Sequence, residues 1–160
     1  MVGCVSDITT FVKQLETTLS TYKFNHDGQE MSIEALAQLI SVTLYYRRFF
    51  PYYAFCALTG LDSDGLGAAY GYDAVGSYKR DVYGSMGSGQ AYTVPFLDMA
   101  VGNKNRHDVR AELTLEEGVR IVKEAFVAGG ERDIYTGDSI DIQVISAGGI
   151  RRETFELKKD

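Results

Sequence analysis

Two closely spaced turns, Asp62-Ser63-Asp64-Gly65 and Asp73-Ala74-Val75-Gly76, constrain this sequence more than any other feature. Asp supplies side-chain hydrogen bonds to a reversing backbone, and Gly supplies the left-handed conformation that tight reversals use. The flanking segments Tyr52 to Thr59, Gly67 to Tyr72 and Ser77 to Tyr83 are rich in aromatic and small apolar residues, as strands are. Connections this short cannot carry a parallel crossover, so the three segments are expected to be antiparallel neighbours.

Helical patterns stand on both sides of this β section. From about Asp7 to Tyr22, the residues Ile8, Phe11, Val12, Leu15, Leu19 and Tyr22 recur at helical spacing, with Ser6 or Asp7 as the expected cap. Asn25-His26-Asp27-Gly28 ends that helix. A second helix is predicted from Ser32 to Tyr45, with Ser32 as N-cap and a stripe of Ile33, Leu36, Ala37, Ile40 and Leu44. Arg47-Arg48-Phe49-Phe50-Pro51 stops it, because proline disfavours helix in the residue before it. After the glycine-rich run Gly84–Gly89, a third helix is predicted from Gln90 to Val101. A fourth runs from Thr114 to Ala128, opened by the capping box Thr114-Leu115-Glu116-Glu117 and closed by Gly129-Gly130. Its expected inner stripe is Val119, Val122, Ala125 and Phe126. Two last strands follow, Ser139 to Ser146, in which Ile140, Ile142 and Val144 form no clean apolar face with Ala147, and Ile150 to Leu157. The order ααβββααββ is α+β, with helices packed on antiparallel sheets.

The charge balance excludes several classes of function. A net charge of −6 with only short basic pairs leaves no footprint for nucleic acid. No apolar run is long enough to span a membrane, and no signal-peptide pattern opens the chain. Two cysteines, Cys4 and Cys56, suggest a reducing compartment, with Cys56 a small hydrophobe in a strand. Together with His26 and His107, which read as surface loop residues, they show no zinc-ligand spacing. Asp62, Asp64 and Asp73 mimic part of a calcium loop, but Leu66 occupies a ligand position and the closing Glu is missing, so they read as turns. No cofactor or metal is expected.

Three segments remain as candidates for function. Gly84–Gly89 reads as a bend between strand and helix, whose free amides could also serve an anion. Glu131-Arg132-Asp133 with Thr136-Gly137-Asp138 is the densest polar cluster. Such a cluster can serve catalysis or simply hold its own loop by local hydrogen bonds. Arg47, Arg48, Phe49, Phe50, Tyr52 and Tyr53 combine two guanidiniums with four aromatic rings, the composition enriched in protein–protein contacts. Two adjacent arginines are costly to bury together, so this segment is an interface candidate.

These residues also carry a family likeness. Tyr46-Arg47-Arg48-Phe49-Phe50-Pro51-Tyr52-Tyr53 is followed by Gly60-Leu61-Asp62, Val75-Gly76-Ser77-Tyr78 and Glu131-Arg132-Asp133-Ile134-Tyr135-Thr136-Gly137-Asp138. The chain ends in Gly149-Ile150-Arg151-Arg152-Glu153-Thr154 and Leu157-Lys158-Lys159-Asp160. In these motifs the sequence resembles the proteasome beta-subunit family, and within it the non-catalytic type-1 branch at the sixth position of the eukaryotic ring. The resemblance is strong from Tyr45 to Asp160 and looser before it.

The resemblance implies an Ntn-hydrolase αββα sandwich, antiparallel sheets between helix layers, over a single domain spanning residues 1–160. It implies a structural subunit of the 20S core particle, working in ubiquitin-dependent protein degradation in cytoplasm and nucleus. The implied partners are other beta subunits and the alpha ring, with no nucleic acid and no membrane. Active relatives use an N-terminal threonine with a lysine and an aspartate from the first strands. Val2-Gly3-Cys4 looks like the end of a strand well inside the family chain, so those strands are expected to be absent. The sequence is then an N-terminally shortened form with unpaired sheet edges, expected to fold poorly alone. Thr9 and Thr10 lie on a helix and cannot replace the nucleophile. Ser88, Asp133 and Thr136 match supporting positions of active relatives, with Thr136 standing where those carry serine, and Ala74 replaces the family's usual proline. Two alternatives stand beside this reading: a threonine peptidase whose catalytic threonine lies in a segment outside this sequence, and an unrelated α+β binding module.

Overall fold

The computed structural model describes residues 1–104, 107 and 113–159, so Asp160, the last residue of the C-terminal motif, lies outside the described residues. The chain divides into two compact units, Met1–Asp81 and Val82–Asp160.

The first unit holds β1 (Val2–Gly3), α1 (Val5–Asn25), α2 (Ile33–Tyr45), β2 (Ala54–Phe55), β3 (Ala57–Leu61), β4 (Gly67–Tyr72) and β5 (Tyr78–Asp81). β3, β4 and β5 form an antiparallel sheet in chain order, as the two short turns require. In the first turn Asp62 Oδ1 accepts the amides of Asp64 and Leu66, at 3.1 and 2.9 Å. In the second, Asp73 Oδ1 accepts those of Val75 and Ser77, at 3.0 and 2.8 Å. The other oxygen of Asp62 takes Arg80 at 2.7 Å, which holds this carboxyl below the usual aspartate range. The expected strand Tyr52 to Thr59 is interrupted. Its start pairs with β1 as β2, and after Cys56 the chain passes to the three-stranded sheet as β3. Gly3 makes the first pairing possible: at φ +132°, a Cβ there would lie 2.2 Å from the Tyr53 carbonyl oxygen.

The core of this unit joins Phe11 and Leu15 of α1 and Ala37, Ile40 and Leu44 of α2 to Tyr52, Ala54, Cys56, Ala68, Tyr70 and Tyr72. Each large side chain buried here contributes about 1.5–3 kcal/mol. Cys56 is core, as expected, and burial pushes its thiol pKa up. Tyr72 keeps its buried hydroxyl satisfied by donating to the Ala37 carbonyl at 2.8 Å. Ser32 caps α2 as predicted, accepting from the Ala35 amide at 3.2 Å. The expected cap of α1 is corrected. Cys4 is the N-cap and makes no side-chain capping bond, while Asp7 instead accepts the Tyr53 amide at 2.9 Å.

The second unit holds α3 (Gln90–Ala100), α4 (Leu115–Gly130), β6 (Ser139–Ser146) and β7 (Gly149–Glu156). β6 and β7 form an antiparallel hairpin from Ser139 opposite Glu156 to Ser146 opposite Gly149. The capping box of α4 is complete: Thr114 Oγ1 accepts the Glu117 amide at 3.3 Å and Glu117 accepts the Thr114 amide at 2.9 Å. Its buried face is Ile121, Ala125 and Gly129, with Val119 partly buried. Val122 and Phe126, expected inside, are exposed, because α3 meets the helix along the Ile121–Ala125 line. Gly129-Gly130 forms the last helical residues, neither at positive φ, and the cap is Glu131; Gly129 instead lets Thr93 approach where a Cβ would stand 3.3 Å from its methyl. Ile140 and Ile142 are buried with Leu157 and backed by Val144, while Ala147 lies past the end of β6 and takes no part in that face. Among the described residues no helix is long and apolar enough to cross a membrane.

Candidate functional site

The loop between α4 and β6 is organised around one carboxylate. Asp133 is reached one turn past the end of α4, where its amide still donates to the Gly129 carbonyl at 2.8 Å. Its side chain points inward and the residue is 8% exposed. Ser88 and Thr136 both donate hydroxyl hydrogens to Oδ2, each at 2.7 Å. The Tyr135 amide donates to Oδ1 at 3.2 Å. Hydrogen bonds to the charged form favour it, so Ser88 first, then Thr136, hold this carboxyl below the usual aspartate range against the opposing effect of burial.

The glycine-rich run sits against this carboxylate. Gly84–Gly89 bends between β5 and α3, as expected, and Gly89 is the N-cap of α3 with no side-chain cap of its own. A Cβ at Gly89 would stand 3.3 Å from both Asp133 Oδ2 and Thr136 Oγ1. The negative charge near this helix start is therefore the chain's own aspartate, a favourable placement against the helix dipole. The structure thus brings Ser88, Asp133 and Thr136 into one hydrogen-bonded group. Chemically the group orients two hydroxyls. A carboxylate that accepts three hydrogen bonds and has a lowered pKa is a weak proton acceptor near neutrality.

The Arg- and aromatic-rich segment forms a different kind of site in the first unit. Backbone bonds of Arg47, Arg48 and Phe50 to the carbonyls of Leu44, Tyr45 and Arg47 continue α2 as tight turns up to Pro51. Phe49 is 93% exposed and Phe50 82%. Arg48 lies over the rings of Phe49 and Tyr45, with Cζ 5.3 and 5.9 Å from their centroids. Tyr53 is exposed, and its ring meets Phe55 edge-on at 5.6 Å. Tyr52 departs from the interface expectation. It is 6% exposed, its ring packs 5.6 Å from Phe11, its hydroxyl donates to Gln14 at 3.2 Å and Arg47 covers it at 4.8 Å. Side chains alternate along the stretch that leads into β2, with Tyr52 and Ala54 buried and Tyr53 outward.

The remaining candidates fall on the surface. His26 stacks on Tyr22 and bonds the Tyr22 carbonyl, His107 is exposed, and Cys4 is an exposed free thiol. Two features escape a reading of the sequence. Ile134 and Tyr135 project from the Asp133 loop into solvent. Tyr83 donates to Asp98 at 2.5 Å, and Lys104 reaches the same oxygen at 2.8 Å. Gly102 lies directly under the Tyr83 hydroxyl. No motif spacing joins Tyr83, Asp98 and Lys104; the only local signal is the glycine after α3.

A family model described as "Proteasome subunit" matches residues 1–145. The chain is 45% identical to "Proteasome subunit beta type-1" of Petunia hybrida, covering 99% of this chain and 73% of that protein. It is 44% identical to the protein of the same name from Arabidopsis thaliana, with the same coverage. The "Proteasome subunit beta type-1" of Danio rerio is 42% identical, over 99% of this chain and 67% of its own length.

Proposed function

The chain belongs to the proteasome subunit family, whose beta subunits carry the Ntn-hydrolase fold, and from that premise we propose that it is a non-catalytic structural beta subunit of the 20S core particle. In this role it contributes to ring assembly for intracellular protein degradation, in cytoplasm and nucleus, packed against other beta subunits and the alpha ring. The whole chain acts as one beta-type domain. The observation that carries the reading is similarity over nearly its full length to proteins named beta type-1 from plants and fish.

One structural feature supports a role without catalysis. Thr9 and Thr10 stand inside α1 and donate their hydroxyls to the Val5 and Ser6 carbonyls, at 2.8 and 2.9 Å. A helical threonine has its amide in the backbone and no free amine to act as base. The Ser88–Asp133–Thr136 group, by contrast, anchors its loop by hydrogen bonds under either reading. The second reading is a threonine peptidase beta subunit whose nucleophile lies outside these residues, and the same group favours it, because it matches the supporting positions of active relatives.

One experiment separates these readings. The gene is tagged at its C-terminus in its own cell, and the particle that carries the tag is purified and treated with an electrophile selective for N-terminal threonine. A structural subunit co-purifies with a large ring particle and takes no label. Label on the tagged chain would establish the peptidase, and a tagged chain that never enters a large particle would overturn both.

A further inference from the structure

The ridge at the end of α2 has the marks of a docking element built before its partner arrives. Tyr46, Phe49, Phe50 and Tyr53 all expose their rings within eight residues of chain, on a backbone held by α2, by the Asp7 carboxylate at the Tyr53 amide and by the Cys4 amide at the Tyr53 carbonyl. Soluble surfaces seldom present this many large exposed rings in so short a stretch without use. A backbone held in advance loses little freedom on binding, which lowers the usual cost of ordering an interface.

Charge identifies what would cover it. The chain as a whole carries −6, yet this ridge is locally cationic. Among the described residues no carboxylate lies within ion-pair distance of Arg47 or Arg48. Both guanidiniums have a face against a ring, Arg47 on Tyr52 and Arg48 over Phe49 and Tyr45. Stacking occupies the face and leaves the N–H donors on the edge, the geometry that takes a carboxylate two bonds at a time. Phosphate would fit the same donors, but four aromatic rings beside them match a protein groove better than a charged surface.

We infer that this ridge docks into an apolar groove, rimmed by Asp or Glu carboxylates, on a different subunit of the ring. The inference rests on the ring assignment above and adds the contact surface and the chemistry of its partner. The test uses cells whose only copy of the full chain is tagged and carries Phe50→p-benzoylphenylalanine, a change at a solvent-exposed ring that leaves the core untouched. Photolysis of the purified particle followed by peptide mapping is expected to join position 50 to another subunit, within a few residues of an Asp or Glu. Adding Arg47→Glu and Arg48→Glu should lower the adduct yield at least tenfold. An adduct to a second copy of this chain, to lipid or to a surface without carboxylates overturns the proposal, as does no adduct or a yield indifferent to the charge reversal. A tagged chain with an unaltered ridge that is absent from the particle overturns the ring assignment itself, an outcome distinct from all of these.

Discussion

The segment Tyr46–Tyr53 and the loop Glu131–Asp138 look alike in the sequence and are built in opposite ways. Each mixes charge with aromatic or apolar residues, and each sends large apolar side chains into solvent, Tyr46, Phe49, Phe50 and Tyr53 in one, Ile134 and Tyr135 in the other. The anchor differs. The first hides a ring, Tyr52, and displays its charges; the second hides a charge, Asp133, and displays its ring. Packing anchors are sensitive to volume and indifferent to proton concentration, whereas a carboxylate anchor depends on direction, partner and pH. A dense polar cluster therefore says little about function until it is known which member faces inward.

Phe11→Ala is the most damaging test of this contrast. It empties the floor beneath Tyr52 and should cost about 3–5 kcal/mol, read as loss of denaturant resistance. Hydrogen exchange should rise across 46–53 and stay unchanged across 131–138. Equal responses in both would break the comparison.

Asp133→Ala should do the reverse. It removes the acceptor of the Ser88 and Thr136 hydroxyls and of the Tyr135 amide. Exchange at Tyr135 and its neighbours is expected to rise on the order of tenfold, with Asp133→Asn in between, since charged acceptors bind more strongly than neutral ones. The sign of the pH effect follows from a depressed pKa. The contribution to stability is complete above the ordinary aspartate value of 3.8 and is lost as pH falls through the lower folded value. A pH series of exchange protection should show the loop loosening only in that acid range, with the Tyr52 ridge following no such profile.

Phe49→Ser with Phe50→Ser should have the smallest effect on folding, within about 0.5 kcal/mol, because both rings already face water. A thermal melt checks this. A large loss would mean the ridge is held by its exposed rings, and the distinction between anchor and display would fail.

Much of the local structure was legible beforehand. The Ser32 cap, the Thr114–Glu117 box and the Asp62 and Asp73 turns all formed as predicted, because their bonds join residues no more than four apart. The α1 cap failed because Asp7 found a partner 46 residues away, at the Tyr53 amide. The α4 stripe failed for a related reason. A helical pattern names an apolar face, but the neighbouring helix decides which line of it is covered, here Ile121 and Ala125 with Phe126 left outside.

The same division holds for the whole protein. By itself the sequence determined its helices, its turns, the antiparallel order of β3, β4 and β5, and a family likeness written in contiguous motifs. Only the tertiary structure decided that Ser88 meets Asp133 across 45 residues, that Tyr52 turns in, and that Phe49 and Phe50 stay out. The reason is range: hydrogen bonds within a turn are encoded where they form, whereas burial is settled by whichever distant surface arrives to exclude water.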